Sequence, residues 1–196
     1  YLLFYYIKKE PFLAHGLNQD SLLRYSRQLA IVGLDGQAQL QTAKVLCVGA
    51  GGLGCPVLQY LAAAGVGTLM IADPDVVELS NLQRQVLFSE DMVGQNKAEA
   101  AVRRLQACNS NLHFTSIAHR IDESWLKTMP SVDVVVDATD NFVTRYALNH
   151  ACRERAIPLV SASVLQTQAQ LSVFNYQSGP CYQCLYPCPP PLDTVP

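Results

Sequence analysis

Charged residues are scarce in this sequence, and neither sign is concentrated in one region. They make up 15% of the 196 residues, against about a quarter in an ordinary soluble domain, and the formal net charge is −2. The 14 Lys and Arg residues are spread thinly and form no basic patch of the kind that binds nucleic acid. Apolar residues make up 49% of the chain, too many for a disordered one. We therefore expect a globular protein that does not bind nucleic acid.

The sequence also lacks the signals of a membrane or secreted protein. The longest apolar run near the N-terminus covers only residues 1–7, whereas a transmembrane helix needs about 20 apolar residues. Lys8 and Lys9 follow it in place of the small residues of a signal-peptide cleavage site. We expect a cytoplasmic protein without a membrane partner. Residues 1–19 are interpreted as an N-terminal extension of undefined structure, and residues 20–196 as one domain.

Four of the seven cysteines fall within apolar strand or helix patterns, and an odd number of cysteines does not suggest a disulfide framework. We expect these four to be small buried hydrophobic residues in a reducing compartment; they are Cys47, Cys55, Cys108 and Cys152.

Cys181 and Cys184 have the two-residue spacing of a zinc knuckle. This pair supplies two of the four ligands that zinc requires; Cys188 could be a third, and no fourth is obvious. A redox pair is the alternative, but such a pair normally begins a helix. The pattern from Tyr182 onward predicts no helix, so half of a zinc site is the preferred interpretation.

Strand and helix patterns alternate along most of the chain. Strands are predicted at 44–48, 68–72, 113–118, 133–137, 158–162 and 168–176, and helices at 21–41, 53–64, 97–108 and 142–155. The alternation predicts an α/β fold with a Rossmann-like, doubly wound, mostly parallel sheet, which binds ligands at the carboxyl ends of its strands. The last strand alternates polar and apolar residues, which suits a half-exposed antiparallel strand at the C-terminal side.

A glycine-rich turn connects the first predicted strand to the helix that follows it. Its residues are Gly49-Ala50-Gly51-Gly52-Leu53-Gly54. Without Cβ atoms the backbone can turn tightly and approach an anion, and the helix N-terminus offers free N–H groups and a positive dipole end. This arrangement predicts a nucleotide-binding site without identifying the nucleotide.

Charged residues follow the glycine turn at positions that suit a nucleotide. Asp73 ends the second strand, where a carboxylate accepts hydrogen bonds from ribose; a solvated turn residue is the alternative. Arg84 lies in a polar loop, and Lys97 begins a helix, where a cation opposes the dipole unless a negative group lies beside it. Asp140 follows the fourth strand, where it could bind Mg²⁺ or cap the next helix.

Six motifs stand in a characteristic order along the chain. They are Arg24-Tyr25-Ser26-Arg27-Gln28, Gly49 to Cys55, Ser80-Asn81-Leu82-Gln83-Arg84-Gln85, Val93-Gly94-Gln95-Asn96-Lys97, Ala138-Thr139-Asp140-Asn141 and Gly179-Pro180-Cys181-Tyr182-Gln183-Cys184. In this order they resemble the ThiF/MoeB family, adenylyltransferases that activate ubiquitin-like sulfur-carrier proteins and are relatives of the ubiquitin-activating enzymes. The ending Cys184-Leu185-Tyr186-Pro187 resembles the molybdopterin-synthase adenylyltransferase branch, whose eukaryotic members carry a C-terminal rhodanese domain.

The resemblance implies a role for each matching residue. The nucleotide would be held by Gly49, Gly51, Gly52 and Gly54, its ribose by Asp73, and its phosphates by the loop Ser80-Asn81-Leu82-Gln83-Arg84 and by Lys97. Asp140 would bind Mg²⁺ with Asn141 beside it, Arg27 would reach the triphosphate from the partner subunit of a homodimer, and Cys181 and Cys184 would be the first pair of a structural Zn(Cys)₄ site.

The implied activity is ATP-dependent adenylation of the C-terminal glycine of a sulfur-carrier protein that ends in Gly-Gly, with release of pyrophosphate. A sulfurtransferase would then supply the sulfur. Arg84, Lys97, Asp140 and Arg27 would be the catalytic residues. The resemblance does not choose among the molybdopterin, thiamine and thio-tRNA pathways.

Two other functions remain open. Three of the glycines also satisfy the fingerprint of an NAD-dependent oxidoreductase, but that function leaves Arg84, Lys97 and Asp140 unexplained. The other is a truncated, non-catalytic paralogue that binds a carrier. The chain ends before the family's second cysteine pair and its loop cysteine, so we expect a C-terminally truncated domain with an incomplete zinc site. The stretch 29–37 is also about two residues shorter than is usual in the family, which bears on the placement of Arg27.

Overall fold

A computed structural model of the protein describes residues 16–189. Most of the proposed N-terminal extension, and the expectations about residues 190–196, lie outside that range. The strands are β1 (Lys44–Val48), β2 (Thr68–Ala72), β3 (His113–Ile117), β4 (Val134–Asp137), β5 (Leu159–Leu165) and β6 (Gln168–Phe174). They form one sheet in the order β3-β2-β1-β4-β5-β6. The first five are parallel, and β6 runs antiparallel to β5, which confirms the predicted fold class.

Seven α-helices accompany the sheet in residues 16–189. They are α1 (Gln19–Arg24), α2 (Leu29–Thr42), α3 (Gly54–Ala64), α4 (Lys97–Cys108), α5 (Glu123–Thr128), α6 (Phe142–Glu154) and α7 (Tyr182–Leu185). None of them has the length and hydrophobicity needed to cross a bilayer.

The single helix predicted over 21–41 is wrong, because the structure contains two helices separated by a turn. Tertiary contacts account for the turn: Tyr25 is buried, and Gln28 donates its side-chain N–H to the carbonyl of Ala64 at 2.9 Å. Helix α2 is interrupted once more at Gly33, which has φ 71° and ψ 179°. A positive φ of this size suits glycine and no ordinary helix position.

Apolar side chains cover both faces of the central strands, as a doubly wound sheet requires. Alternate residues of β1 point to opposite faces, so Cys47 belongs to one core and Leu46 to the other. The first core lies against α3 and α4 and includes Leu58 and Leu105. The second lies against α5 and α6 and includes Leu148.

The carboxyl ends of β1 and β4 mark the switch point of the sheet. Strand β1 pairs with β2 on one side and with β4 on the other. The helix that follows β1 packs on one face of the sheet, and the helix that follows β4 packs on the opposite face. A crevice opens outside the strand ends at such a point. The segments that follow β1, β2 and β4 begin with Gly49, Asp73 and Ala138, and all three therefore border the crevice.

Strand β6 is more exposed than its alternating pattern predicts. Within residues 168–174 only Phe174 is buried, whereas Leu171 is 73% exposed and Val173 is 54% exposed. The strand is last in the sheet order, so no further described strand covers its edge. The expectation for Cys108 was also wrong: it ends α4 and is exposed, whereas Cys47, Cys55 and Cys152 are buried as predicted.

Candidate nucleotide site

The glycine turn closes on itself and on the end of β4. Gly49 has φ +97°, and a Cβ atom there would lie 2.6 Å from the carbonyl oxygen of Ala138. A Cβ atom on Gly54 would lie 1.9 Å from the carbonyl oxygen of Gly49. Both distances are far below van der Waals contact, so only glycine fits at these two positions.

Helix α3 begins at this turn without a side-chain cap. Leu53 occupies the N-cap position, makes no capping hydrogen bond, and is followed by no acidic residue in the first turn. No side chain of this turn therefore neutralises the partial positive charge at the N-terminus of α3, which borders the crevice. This is the local arrangement that binds phosphate.

Asp73 is buried and holds the glycine turn. Its Oδ2 atom accepts the N–H of Ala50 at 2.7 Å, and its Oδ1 atom accepts the N–H of Asp75 at 2.9 Å. Only 5% of Asp73 is exposed, which contradicts the solvated-turn alternative. Burial raises the pKa of Asp73, and the two N–H donors oppose this rise only in part.

The polar loop after β2 lies over the glycine turn. A Cβ atom on Gly52 would be 3.6 Å from Cδ of Arg84, so the stem of this arginine covers the turn. Asn81 and Gln85 are buried, and Asn81 Oδ1 and Gln85 Oε1 have no hydrogen-bond partner in the part of the chain that the structure describes. Unpaired buried acceptors are costly and usually meet a ligand or water. The pattern of the sequence did not identify Gln85 as a site residue.

Three other loop residues have more peripheral positions. Ser80 is exposed and donates its hydroxyl to Glu78 at 3.1 Å, Leu82 is half-buried, and Gln83 is exposed. Arg84 is also exposed and donates to the carbonyl of Ser80 at 3.4 Å.

Lys97 has the negative neighbour that its place at a helix start requires. Its Nζ atom lies 3.2 Å from Oδ2 of Asp75, and only 8% of its side chain is exposed. Its positive charge acts to lower the pKa of Asp73, which holds the glycine turn, and of Cys55, which follows it. Asn96 caps this helix, because its Oδ1 atom accepts the N–H of Glu99 at 3.2 Å.

Asp140 borders the crevice after β4 and does not cap α6. Asn141 is the cap, and its Oδ1 atom accepts the N–H of Thr144 at 2.9 Å. Asp140 is exposed, and within residues 16–189 no hydrogen bond or ion pair involves its carboxylate. A free carboxylate at this point suits a magnesium ligand, because Mg²⁺ takes one or two protein carboxylates together with phosphate oxygens.

A buried ion pair lies beneath this turn and was missed by sequence reasoning. Arg145 Nε is 2.7 Å from Oδ2 of Asp137, and the two side chains are 7% and 0% exposed. The helix that carries Arg145 also buries the polar residues Thr144 and Asn149, and nothing in its sequence pattern distinguishes Arg145 from an exposed arginine.

Arg27 is not brought to the crevice of its own chain. Arg27 is exposed. The next residue, Gln28, donates to the carbonyl of Ala64, which is the last residue of α3. The glycine turn lies at the first residue of this helix, whose 11 residues span about 16 Å.

Cys181 and Cys184 lie together in a segment that contains a short helix, contrary to prediction. Their Sγ atoms are 3.6 Å apart, close to the roughly 3.8 Å that tetrahedral zinc with 2.3 Å bonds would impose. Burial alone would raise the pKa of the Cys181 thiol, but hydrogen bonds from the Cys184 thiol and backbone outweigh it and lower the pKa. The distance thus fits two zinc ligands, while the helix that begins directly after Cys181 also fits the redox alternative. Residues 16–189 contain no cluster of three or more potential metal-binding side chains, so a complete zinc site is not present in that range.

Comparisons with known proteins agree with these motifs. The profile of the ThiF family matches residues 25–196. Relatives named adenylyltransferase and sulfurtransferase MOCS3 are 49% identical over 182 residues in Danio rerio and 50% identical over 182 residues in Sus scrofa. In both cases the match covers 91% of this chain and 40% of the relative, so the chain spans about two fifths of their length.

Solved structures with the same fold include bound nucleotide. The crystal structure of E. coli MccB with ATP is 35% identical with a TM-score of 0.75, and the match covers 82% of this chain and 50% of that one. A structure of PaaA is 26% identical with a TM-score of 0.77, and the match covers 91% of this chain and 58% of that one. The family profile, the MOCS3 relatives and the MccB fold agree, and the chain belongs to the ThiF family.

Proposed function

We propose that this chain uses ATP and Mg²⁺ to adenylate the C-terminal glycine of a ubiquitin-like sulfur-carrier protein. The observation that carries the proposal is the grouping of Lys97, Arg84 and Asp140 around the uncapped N-terminus of α3. Membership in the ThiF family and the names of the MOCS3 relatives support the same activity.

The proposed reaction occurs at the α-phosphate of ATP. A carboxylate oxygen of the terminal glycine forms a bond to the α-phosphorus, and the bond from that phosphorus to the oxygen shared with the β-phosphate breaks. Pyrophosphate leaves with the electron pair, and an acyl-adenylate remains. Such a step depends on alignment and charge neutralisation more than on a protein nucleophile.

Lys97 and Arg84 are the proposed cations for the leaving phosphates. The side chain of Lys97 is buried and paired to Asp75, whose side chain is 64% exposed, so a phosphate that approaches from the side of Asp75 can replace or share this partner. Arg84 is anchored over Gly52 while its head group remains exposed. Asp140 is the proposed ligand of Mg²⁺, which would neutralise phosphate charge when bound.

Arg27 is proposed to act on the neighbouring subunit of a homodimer. Its position supports this role, because it is exposed and its neighbour Gln28 binds the end of α3 that is distant from the glycine turn of its own chain. The remaining assignments follow the family: ribose binding by Asp73, a structural zinc site that includes Cys181 and Cys184, sulfur delivery by a sulfurtransferase, and a cytoplasmic location.

Carrier-dependent exchange of pyrophosphate into ATP tests the proposal. In the full-length protein, Arg84→Ala, Lys97→Ala and Asp140→Ala should each lower the exchange rate about 10²–10³-fold, because each removes one preorganised charge. Arg153→Ala is the matched control, since Arg153 is exposed in the last turn of α6. Normal exchange in all three variants would refute the assignment.

The same assay separates the alternative functions. An NAD-dependent oxidoreductase would bind NAD and show no exchange of pyrophosphate into ATP. A non-catalytic paralogue would bind the carrier without exchange. Calorimetry with ATP, NAD and the carrier therefore accompanies the kinetic measurement.

A further inference from the structure

We infer that Arg145 is a positioning residue that fixes the turn at Thr139 and Asp140 and connects it to the cysteine segment 181–184. The inference rests on the proposed function only in taking Asp140 as a ligand of Mg²⁺. Arg145 itself is buried beneath the crevice and acts through Thr139.

The carboxylate of Asp137 organises the turn from within the protein. Its Oδ2 atom accepts Nε–H of Arg145 at 2.7 Å and the hydroxyl of Ser161 at 2.8 Å. Its Oδ1 atom accepts both the backbone N–H of Thr139 at 3.0 Å and the hydroxyl of Thr139 at 2.6 Å. Each carboxylate oxygen thus accepts two hydrogen bonds, and these four bonds restrict rotation of the carboxylate.

Arg145 binds the backbone carbonyl of Thr139, the one polar group of this residue that Asp137 does not bind. One of its terminal nitrogens donates to the carbonyl of Thr139 at 2.8 Å and to that of Ala162 at 3.2 Å. The N–H, hydroxyl and carbonyl of Thr139 are therefore all held by Asp137 and Arg145. Because the carbonyl of Thr139 belongs to the planar peptide group that leads into Asp140, its orientation fixes the backbone nitrogen and Cα from which the Asp140 side chain extends.

Energetic reasoning assigns this pair to positioning rather than to stability. A buried ion pair costs so much desolvation that apolar residues of similar size often replace it without loss. A planar guanidinium, however, can bond two acceptors in fixed directions, which neither an apolar side chain nor lysine does. Burial would lower the pKa of Arg145, but the charge of Asp137 outweighs it and raises the pKa, so the guanidinium stays charged.

The same guanidinium contacts the cysteine segment. It lies 5.7 Å from the ring centroid of Tyr182, which stands between Cys181 and Cys184. Tyr182 is buried, and its N–H donates to Oδ1 of Asn149 at 2.8 Å. A displacement of this segment would therefore reach Arg145 directly and Thr139 one contact later.

Conservative replacement of Arg145 in the full-length protein tests the inference. Arg145→Lys keeps the positive charge beside Asp137 but cannot reproduce the second, directed bond to Thr139. We expect the Mg²⁺ concentration needed for half-maximal ATP binding, measured by calorimetry, to rise about 10–100-fold, as for other residues that orient a metal ligand. We also expect faster hydrogen exchange at the N–H of Thr139. Tyr182→Leu should produce a smaller change in the same direction.

A double variant and a control variant distinguish a positioning role of Arg145 from a general effect on folding. If Arg145→Lys fails to fold, the double variant Asp137→Asn/Arg145→Met removes both charges at similar volume and is expected to fold while showing the same increase in Mg²⁺ requirement. Arg155→Lys is the matched control, because Arg155 also donates to a backbone carbonyl, that of Met129 at 2.7 Å, but at the opposite end of α6.

The outcomes separate this inference from the proposed function. A folded Arg145 variant with an unchanged Mg²⁺ requirement and unchanged exchange at Thr139 would overturn the inference. A wild-type protein that binds ATP with Mg²⁺ but catalyses no pyrophosphate exchange would refute the proposed function, while the binding data still decide the role of Arg145. A wild-type protein whose ATP binding needs no Mg²⁺ would overturn the inference as well.

Discussion

The carboxylate of Asp73 binds the N–H of Ala50 at 2.7 Å and thereby ties the end of β2 to the glycine turn that follows β1. The second carboxylate oxygen binds the N–H of Asp75, the residue that pairs with Lys97. One buried side chain thus sets the position of the turn and, through Asp75, of a proposed phosphate ligand. The ribose-binding role proposed for Asp73 would add to this structural role.

Asp73→Asn should weaken both stability and nucleotide binding. Asparagine has one acceptor oxygen, so the N–H of Ala50 or of Asp75 would face an NH₂ group and lose its partner. We expect a loss of about 1–3 kcal/mol in the free energy of unfolding, measured by urea denaturation, and weaker ATP binding by calorimetry. Asp133→Asn is the control, because Asp133 binds a single N–H, that of Lys44, at 2.8 Å. Equal stability of the two variants would contradict this account of Asp73.

Two glycines of the turn should separate folding from binding. Gly49→Ala places a Cβ atom 2.6 Å from the carbonyl oxygen of Ala138 at a φ of +97°, so we expect a loss of stability of about 1–3 kcal/mol or more. Gly52→Ala meets only Arg84, at 3.6 Å, and should change stability by less than about 0.5 kcal/mol. The added methyl group nevertheless enters the space between the turn and Arg84, so ATP affinity should fall.

Thermal denaturation and calorimetry on both variants check this separation. A Gly52→Ala protein that binds ATP as tightly as wild type would show that the nucleotide does not approach this part of the turn. A Gly49→Ala protein as stable as wild type would show that the end of β4 can move away from the turn.

The strands and the glycine turn could be predicted because their signals are local. A run such as Val45-Leu46-Cys47-Val48 is apolar throughout, which a buried parallel strand requires, and the glycines follow it directly. Helix caps are specified less sharply: the sequence offers Asp140 as a candidate cap of α6, but the structure has the neighbouring Asn141 in that position. The roles proposed for Arg84, Lys97 and Asp140 remain predictions; the structure has Arg84 over the glycine turn, Lys97 beside Asp75 and Asp140 just after the end of β4.

Features that depend on distant partners could not be predicted. The turn after α1 exists because Tyr25 and Gln28 dock against the end of α3, about 40 residues later in the chain. The one-turn helix α7 packs through Tyr182 against the rings of Tyr146 and Phe174. Helix propensity over four residues carries no such information.

The cysteines should divide into reactive and inert groups. Burial raises the pKa of Cys47 and of Cys152 to about 12 and that of Cys55 to about 11. At pH 8 only about one Cys55 thiol in a thousand is then the reactive thiolate, and folding restricts access as well. Cys108, Cys184 and Cys188 are exposed.

Alkylation of the native protein with iodoacetamide at pH 8, followed by peptide mass spectrometry, checks this division. We expect label on the three exposed cysteines and none on Cys47, Cys55 and Cys152, and label on all six after denaturation in urea. Added zinc should protect Cys184 but not Cys108 if the pair at 181 and 184 binds metal. Labelling of native Cys47 or Cys152 at the rate of Cys108 would contradict the burial of those thiols.

Mixing two inactive variants should restore activity if Arg27 acts on the partner subunit. Arg27→Ala removes the arginine that a subunit contributes to its partner's site, and Lys97→Ala inactivates the site of its own subunit. In a mixed dimer one crevice would combine an intact Lys97 with an intact Arg27, while the other would lack both. Random pairing of equal amounts makes half of the dimers mixed, so pyrophosphate exchange should recover to about a quarter of the wild-type rate.

Mixing Lys97→Ala with Asp140→Ala is the control and should restore nothing, because both residues border the crevice of one chain. Full activity of Arg27→Ala alone, or no recovery in mixtures whose exchange of subunits is verified by native mass spectrometry, would place Arg27 outside the partner's site.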